Sequence, residues 1–205
     1  MVRKFMFSDV LRVAWKTYVS QIWILSGLVI GYVIISLALC LFIPYPVQGT
    51  MSIASITIML LSLVLTLLFS LGYTQNMFQA LDGEEPQFSA YGQQSRKIFT
   101  LLFASLIYLV TVVIGLALLI LPGLYLAIRL QFFYLSIVEE DTSILDSLKR
   151  SWKITKGQEI SLLLLLLLVI GLVVLGIAFF IIGIFVTSPI ICLIYCYVFR
   201  KLTVY

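Results

Sequence analysis

Three long stretches of this 205-residue chain carry no charged side chain, and they limit the fold more than any other feature. The stretches run over residues 17–81, 98–128 and 160–199. A soluble domain carries roughly 25% charged residues, whereas this chain is 11% charged and 62% hydrophobic. The surrounding solvent is therefore predicted to be lipid. About 20 helical residues cross a hydrocarbon core about 30 Å thick, so the stretch 160–199 must fold back once.

The spanning elements are predicted to be helices, because the apolar runs lack the alternation of polar and apolar residues found in barrel strands. The run SLLLLLLLVIGLVVLGIAFFIIG, which begins at Ser161, is apolar at nearly every position. In a helix each backbone group finds its partner within the same segment, as lipid requires. Six spans are expected at about 22–43, 51–76, 98–120, 124–138, 160–182 and 188–201, with outer turns at 44–50, 121–123 and 183–188.

The charged residues are confined to one set of connecting segments, and this sets the predicted orientation. Twelve of the thirteen basic residues and all nine acids lie in segments 1–21, 82–97, 139–159 and 200–205. The outer turns hold none, and basic loops remain in the cytoplasm. Both termini are therefore predicted to be cytoplasmic. Because residues 1–21 have no small-residue cleavage site, the first span is expected to be retained.

The segment DSLKRSWKITKGQEI at 146–160 resembles an earlier segment, DVLRVAWKTYVSQIW at 9–23. A shift of 137 positions superposes Trp15 on Trp152, and a fainter third copy occupies 88–99. Each copy comes before a predicted span. The chain is therefore predicted to form a single membrane domain, residues 1–205, with three units of about 1–80, 81–138 and 139–205.

Each copy is predicted to form an amphipathic helix at the cytoplasmic interface, and Ser143 with Asp146 fits the start of the last one. The predicted apolar faces are Val10, Leu11, Ala14, Trp15 and Tyr18 in the first copy and Ile144, Leu145, Leu148, Trp152 and Thr155 in the last. Tryptophan suits the headgroup level, and each Lys or Arg near an anionic leaflet gains about 1 kcal/mol. The residues expected to contact lipid or a partner are Arg12, Trp15, Lys16, Lys149, Arg150, Trp152, Lys153 and Lys156.

The stretch LPGLYLAIRLQFFYLSIVEEDTSILDSLKRSWKITKG at 121–157 resembles a group of bacterial six-helix membrane proteins, the glycerophosphoryl diester phosphodiesterase membrane-domain family and its YciC-like relatives. The matching features are Pro122-Gly123, Arg129, the acidic run Glu139-Glu140-Asp141, and Ser151-Trp152 followed by Thr155-Lys156-Gly157. The resemblance implies a fold and a bacterial cytoplasmic (inner) membrane location. It implies no reaction, because hydrolysis in enzymes of that name belongs to a separate soluble domain.

The sequence offers little for catalysis or metal binding. It contains no His, the commonest general base and metal ligand. Glu139-Glu140-Asp141 is interpreted as a solvated acidic cluster, with cation binding as the alternative. Cys192 and Cys196 share a helical face but lack a third ligand, so they are expected to pack as small apolar residues.

Arg129 is the only charged residue inside a predicted span, about six residues or roughly 9 Å from the outer turn. No other span supplies an acid to pair with it. A charge in such a place by default indicates a functional site, such as an anion or lipid-phosphate contact or a position lining a pathway. The alternative is a structural role, in which Arg129 snorkels or bonds carbonyls near Pro122 and stacks on Phe132 or Phe133.

Other polar and small residues occupy the predicted spans. Gln75, Asn76 and Gln131 are expected to bond between helices or to join a polar pocket facing the cytoplasm. Gly27 and Gly31 form a G-x-x-x-G pattern, which allows close packing of helices within the chain or between protomers. The later glycines Gly171, Gly176 and Gly183 invite the same interpretation.

The sequence thus predicts a non-enzymatic multi-pass membrane protein with a structural, scaffold or lipid-associated role. The alternative is a small transporter, or the membrane subunit of one, with Arg129 lining a cavity. Many transporters use inverted repeats and discontinuous helices, whereas these repeats share one orientation and no broken helix is evident. The expected partners are lipids of the anionic leaflet, with a protein partner or a homo-oligomer left open. No nucleic acid, cofactor or metal is expected.

Overall fold

The computed structural model describes residues 5–42 and 52–204, which form ten α-helices and one 3-10 turn, with no strand in these two ranges. The predicted turn at 44–50 lies outside the described residues. The helices are α1 (Phe7–Ser20), α2 (Ile22–Leu41), α3 (Ile53–Leu81), α4 (Ser89–Gln94), α5 (Ile98–Leu118), α6 (Ile120–Leu130), α7 (Phe133–Glu140), α8 (Ile144–Ile154), α9 (Glu159–Ala178) and α10 (Phe180–Thr203), and the 3-10 turn is Ser95–Lys97.

Six helical segments are long and apolar enough to cross a membrane, so the predicted all-α, multi-pass fold is confirmed at that level. Helices α2, α3 and α9 each form one of these segments. Helix α4 continues through the 3-10 turn into α5, while α6 and α7 together make the fourth segment. The sixth, Gly183–Thr203, belongs to α10.

The turn between α5 and α6 lies at Leu119, before the predicted turn at 121–123. Leu119 is extended, with φ −160° and ψ 145°. Pro122 falls in the first turn of α6, where its missing N–H leaves no hydrogen bond unmade. Gly123 allows α6 to approach α5 closely, because a Cβ there would lie 2.5 Å from the backbone nitrogen of Leu116. Pro122 and Gly123 therefore lie inside the fourth span, near its start.

The turn between α9 and α10 lies at Phe179, so the predicted turn at 183–188 is wrong. Helix α10 continues through Pro189, which cannot donate a hydrogen bond to the carbonyl of Phe185. The hydroxyl of Ser26, on α2, lies 3.5 Å from that carbonyl oxygen and offers a substitute donor. Proline is tolerated inside a membrane helix when a neighbouring helix satisfies the freed backbone group.

The interior of the bundle is formed where α3, α7 and α10 meet. The ring centroids of Phe78 and Phe132 lie 6.2 and 6.3 Å from that of Phe199, and all three side chains are buried. Phe78 and Phe199 lie in the last turns of α3 and α10. The second, fourth and sixth spans therefore converge at the end of the bundle that carries the charged connections.

Three short helices pack against these inner spans. Helix α1 lies against α10, α4 against α3, and α8 against α6 and α7. Helix α8 begins as predicted, with Ser143 as its N-cap and the hydroxyl accepting a hydrogen bond from the backbone N–H of Asp146. Each short helix thus contacts the second, the fourth or the sixth of the long apolar segments.

Candidate functional site

The fourth span is broken at Gln131 and Phe132, between α6 and α7, which corrects the expectation that no helix is broken. A side chain of α8 fills the break. The hydroxyl of Ser151 donates to the carbonyl of Arg129 at 2.9 Å and accepts from the backbone N–H of Phe132 at 3.1 Å. Thr155 Oγ1 lies 3.1 Å from the same carbonyl. The N–H of Phe132 and the carbonyl of Arg129 are therefore satisfied by Ser151 of α8 and by Thr155, which follows it.

The side chain of Arg129 lies at this break and is only 2% exposed. Its Nη1 donates to Glu159 Oε1 at 3.0 Å. The guanidinium carbon lies 4.3 Å from the ring centroid of Trp152 and 5.7 Å from that of Tyr125. One carboxylate and two aromatic rings therefore hold the cation, a combination that suits the planar guanidinium.

The turn between α8 and α9 brings Glu159 to Arg129. Gly157 has φ +80°, a conformation that favours glycine. The backbone N–H of Gly157 donates to Glu159 Oε1 at 3.1 Å, which orients the carboxylate. Glu159 also lies in the first turn of α9, where the helix dipole stabilises a negative charge.

These contacts correct two expectations about Arg129. The cation has an acidic partner, which the sequence interpretation had placed in a charged connection, and it stacks on Trp152 instead of Phe132 or Phe133. The contact residues Ser151, Trp152, Thr155 and Glu159 are spaced along one short segment. Their spacing places Ser151 and Thr155 on one helical face, a signal that is visible in the sequence once Arg129 is known to contact α8.

The other predicted intramembrane polar residues do not join Arg129 in one cluster. Gln75 Oε1 accepts from Gln94 Nε2 at 3.1 Å, and Asn76 Oδ1 accepts from the backbone N–H of Gln87 at 3.2 Å. These bonds attach the segment around α4 to α3. Gln131 lies at the break, where its buried Nε2 has no hydrogen-bond partner within the described ranges 5–42 and 52–204.

The acidic run Glu139-Glu140-Asp141 binds three different parts of the chain, and we call it the acidic clasp. Glu139 lies 2.7 Å from Arg200 Nη2 on α10, and Glu140 lies 2.6 Å from Arg150 Nη2 on α8. Asp141 lies 3.0 Å from Lys97 Nζ, at the start of α5, and 3.1 Å from Arg96 Nη2. The predicted solvated acidic cluster is thus a set of ion pairs.

Two further contacts strengthen this region. Lys97 is buried, and its Nζ donates to the carbonyls of Ile137 and Val138 at 2.9 and 3.0 Å, so it caps the end of α7. Arg200 also donates from Nη2 to Asp82 Oδ2 at 2.9 Å. Asp82 follows α3 directly. The charged ends of the second, fourth and sixth spans are therefore connected through one guanidinium.

The ion pairs shift the pKa values of groups in the charged connections. The hydrogen bond and the charge of Lys97, with a smaller effect from Arg96, lower the pKa of Asp141 from its ordinary value. The hydrogen bond from Arg200 lowers the pKa of Asp82. The hydrogen bond to Glu140 raises the pKa of the Arg150 guanidinium. Each shift favours the charged form of the group.

The predicted interface residues fall into two classes. Trp15 and Trp152 are 56% and 40% exposed, so the rest of the chain leaves a large part of each side chain uncovered. Most of the predicted interface cations are exposed as well, whereas Arg150 is half-buried in its pair with Glu140. The exposed cations are Arg12, Lys16, Lys149, Lys153 and Lys156.

The apolar faces predicted for α1 and α8 are largely covered by protein. In α1, Val10, Ala14 and Tyr18 are buried against α10, which leaves Trp15 exposed and Leu11 half-buried. In α8, the buried residues are Ser147, Leu148, Ser151 and Ile154, and Thr155 follows them. Leu145 remains exposed. Packing on the bundle therefore takes up most of the α1 face and part of the α8 face that were expected in the acyl boundary.

The glycine patterns have different roles. Within the described part of the chain, nothing lies within 4 Å of a Cβ placed on Gly27, Gly31 or Gly171, so the G-x-x-x-G pattern of α2 makes no close internal contact. By contrast, a Cβ on Gly183 would clash with the carbonyl oxygen of Gly176. The close approach of α9 and α10 depends on that second pair.

The fold and the site define a multi-pass α-helical membrane protein with a buried arginine at a break in its fourth span. The family model described as "Domain of unknown function (DUF7847)" matches residues 90–204, and the chain belongs to that family. The match covers α5 to α10, and so includes Arg129, the acidic clasp and α8. No curated protein and no solved structure matches the chain.

Proposed function

We propose that the protein is a non-enzymatic component of a bacterial cytoplasmic membrane, with a structural, scaffold or lipid-associated role. Its charged face lies in the cytoplasm and engages the anionic leaflet. The resemblance to six-helix bacterial membrane domains supports this location, because those proteins lie in the inner membrane. It also supports a non-enzymatic role, because it implies a fold and no reaction. The buried cations of the described residues, Lys97 and Arg129, are both held in ion pairs, which suits a rigid scaffold.

The helix contacts support three repeated units, about 1–80, 81–138 and 139–205. The short helix of each unit packs on the inner span of another unit: α4 on α3, α8 on α7, and α1 on α10. These three contacts link each unit to the next and the third unit to the first, so the units are connected in a closed ring. The shift of 137 positions superposes the buried residues Val10, Ala14 and Tyr18 on Ser147, Ser151 and Thr155, which are also buried.

The observation that carries the lipid-binding proposal is that Trp15 and Trp152, which occupy equivalent positions in the repeat, are both exposed. Both follow a buried residue of their short helix, and both are accompanied by exposed cations on the same charged side of the bundle. Tryptophan favours the headgroup level of a bilayer. Cations near an anionic surface contribute about 1 kcal/mol each, so Lys149, Lys153 and Lys156 together provide roughly 3 kcal/mol.

The proposal is tested on the full-length protein in nanodiscs that contain phosphatidylglycerol and phosphatidylcholine. We expect the triple variant Lys149→Gln, Lys153→Gln and Lys156→Gln to retain less phosphatidylglycerol in its annulus, and the wild-type enrichment to weaken as salt is added. The matched Lys→Arg triple variant keeps the charge and should behave as wild type. Equal enrichment in the Gln variant, or enrichment that salt does not affect, contradicts lipid binding by this face.

Orientation is tested by labelling with a membrane-impermeant thiol reagent. In a background with Cys40, Cys192 and Cys196 replaced by Ala, a cysteine is introduced in the outer turn as Leu119→Cys or on the charged face as Glu84→Cys. We expect label at position 119 from the outside of intact cells and at position 84 only after permeabilisation. Labelling of both positions from one side refutes the proposed topology.

The transporter alternative draws support from the break in the fourth span, since many transporters build substrate sites from discontinuous helices. Ser151 and Thr155 occupy the backbone groups at this break, and Glu159 neutralises Arg129. Transport requires an aqueous path to the break. In the same cysteine-free background, labelling of Gln131→Cys from both sides of the membrane favours a transporter, and complete protection favours the scaffold.

A further inference from the structure

A lateral groove with a volume of about 490 Å³ opens between α2 and α3, beside the segment that leads into α4. Gly27 and Gly31 form part of its lining, and Trp23 and Phe88 lie at one end. Both walls are helices that are long and apolar enough to cross a membrane. The groove therefore faces the hydrocarbon core of the bilayer, where neither water nor an empty space is a stable filling.

The dimensions of the groove suit one extended hydrocarbon chain. Its lining runs along α2 from Trp23 to Ile35, a distance of roughly 18 Å at the helical rise of about 1.5 Å per residue. The lining includes residues of both α2 and α3, so an elongated apolar ligand can lie along this length between the two helices.

The wall of the groove offers its occupant few polar groups. The hydroxyl of Tyr32 is within 3.1 Å of Thr66 Oγ1, so this pair is satisfied internally. The ring of Phe69 stacks on Tyr32, with centroids 4.1 Å apart, and on Tyr91 at 6.1 Å. The three stacked rings line the groove together with the two glycines. Such a surface gains by dispersion contacts with methylene groups.

The end of the groove at the charged face carries negative charge. Glu84 and Glu85 precede the lining residue Pro86, and Gln21 Nε2 donates to the carbonyl of Glu84 at 2.9 Å, which holds this loop beside α2. Six of the nine acids form ion pairs, whereas these two exposed acids form none within the described residues. An anionic headgroup is therefore repelled here and an ammonium group is attracted.

We propose that the groove binds one acyl chain of a phospholipid with an ammonium headgroup, the chemistry of phosphatidylethanolamine. The chain lies over Gly27 and Gly31 against the three rings, and the ammonium group lies near Glu84 and Glu85. This site is on a different face from the exposed cations of α8 and has the opposite charge preference. It stands independently of the proposed binding of anionic lipid.

The test fills the groove and measures lipid bound to the full-length protein by native mass spectrometry, with dioleoyl phosphatidylethanolamine as the probe. Gly27→Leu and Gly31→Leu place side chains where the described residues leave open space, so the bundle itself should be preserved. We expect each variant to weaken probe binding about tenfold, equivalent to roughly 1.4 kcal/mol. Gly171→Leu, at an equally open position on α9 outside the groove, is the matched control.

The headgroup preference is measured separately with Glu84→Gln combined with Glu85→Gln. We expect this variant to bind dioleoyl phosphatidylethanolamine and dioleoyl phosphatidylglycerol equally, whereas the wild type prefers the former.

Unchanged probe binding in Gly27→Leu and Gly31→Leu overturns the proposal. It is also overturned if these variants lose a dimer of the chain while lipid binding persists, because the groove then receives a second copy. The triple variants of Lys149, Lys153 and Lys156 test the binding of anionic lipid separately, so their result does not bear on lipid binding in the groove.

Discussion

Arg129 Nη1 lies 3.0 Å from Glu159 Oε1, and this ion pair connects the middle of the fourth span to the first turn of the fifth. The arginine is 2% exposed while the carboxylate is about one third exposed. Removal of Glu159 should therefore cost more stability than removal of Arg129, because it leaves a buried charge without a partner.

Removal of the carboxylate should destabilise the bundle. Glu159→Gln leaves the buried Arg129 guanidinium without a counter-charge, a change that costs about 3 kcal/mol. We expect a clear fall in the melting temperature of the purified protein in detergent. Adding Arg129→Met to Glu159→Gln should recover much of the loss, since an apolar replacement needs no partner. Glu85→Gln is the control at an unpaired, exposed acid, and an equal effect there contradicts the special role of the pair.

The hydroxyl that fills the helix break should matter more than a buried hydroxyl one turn earlier. Ser151→Ala leaves the N–H of Phe132 without its partner, and an unsatisfied buried group costs about 1–3 kcal/mol. Ser147→Ala is the matched control, because Ser147 Oγ bonds only to the carbonyl of Ile144 in its own helix among the described residues. Thermal unfolding of the two variants should therefore differ, and equal stability argues that the break is held by other contacts.

Acidification should weaken the charged face. Since ion pairing lowers the pKa values of Asp82 and Asp141 in the folded protein, their contribution to stability is complete above about pH 4, the ordinary value for Asp. It is lost as the pH falls through the lowered pKa values of the folded state. Unfolding measured between pH 7 and pH 2 should show a steep loss of stability at the acid end.

The variant Asp82→Asn separates this effect from general acid denaturation. It should be less stable than the wild type at neutral pH and should show a shallower decline at acid pH. Lys201→Met, which removes a neighbouring cation that forms no ion pair in the described part of the chain, is the control. A profile for Asp82→Asn that runs parallel to that of the wild type rules out Asp82 as a source of the pH dependence.

The crossing of α9 and α10 should be sensitive to a single methyl group. In Gly183→Ala the new Cβ meets the carbonyl oxygen of Gly176, so the two helices must separate. We expect a loss of about 1–3 kcal/mol in unfolding free energy, the usual cost of forcing an atom into a packed region. At Gly171 the same change meets open space in the described structure and should be neutral or slightly stabilising. Similar results at both positions contradict the close contact.

The six spans could be predicted because lipid leaves a charge-free chain few ways to satisfy its backbone. The continuation of α10 through Pro189 could not be predicted, since the donor that makes proline tolerable there is Ser26, which is 159 residues from Phe185 along the chain. Glu159 was missed as the partner of Arg129 for a similar reason. Its position depends on the turn at Gly157, and a local sequence pattern does not show which residues lie close together in space.

The charged residues illustrate the same division. Their restriction to one set of connections is a property of composition, and it predicts one charged face. Which acid binds which base depends on how the helix ends converge. Glu139, Glu140 and Asp141 are adjacent in sequence yet bind α10, α8 and the start of α5. The cluster was therefore recognised in the sequence while its partners were not.

The packing of α1 on α10 has a consequence for biosynthesis. The two helices are about 170 residues apart, which a ribosome covers in roughly 10–30 s at about 5–20 residues per second. Throughout that interval the face of α1 formed by Val10, Ala14 and Tyr18 has no α10 to cover it. The nascent chain must therefore shelter this face in the bilayer surface or on a chaperone until translation reaches the last span.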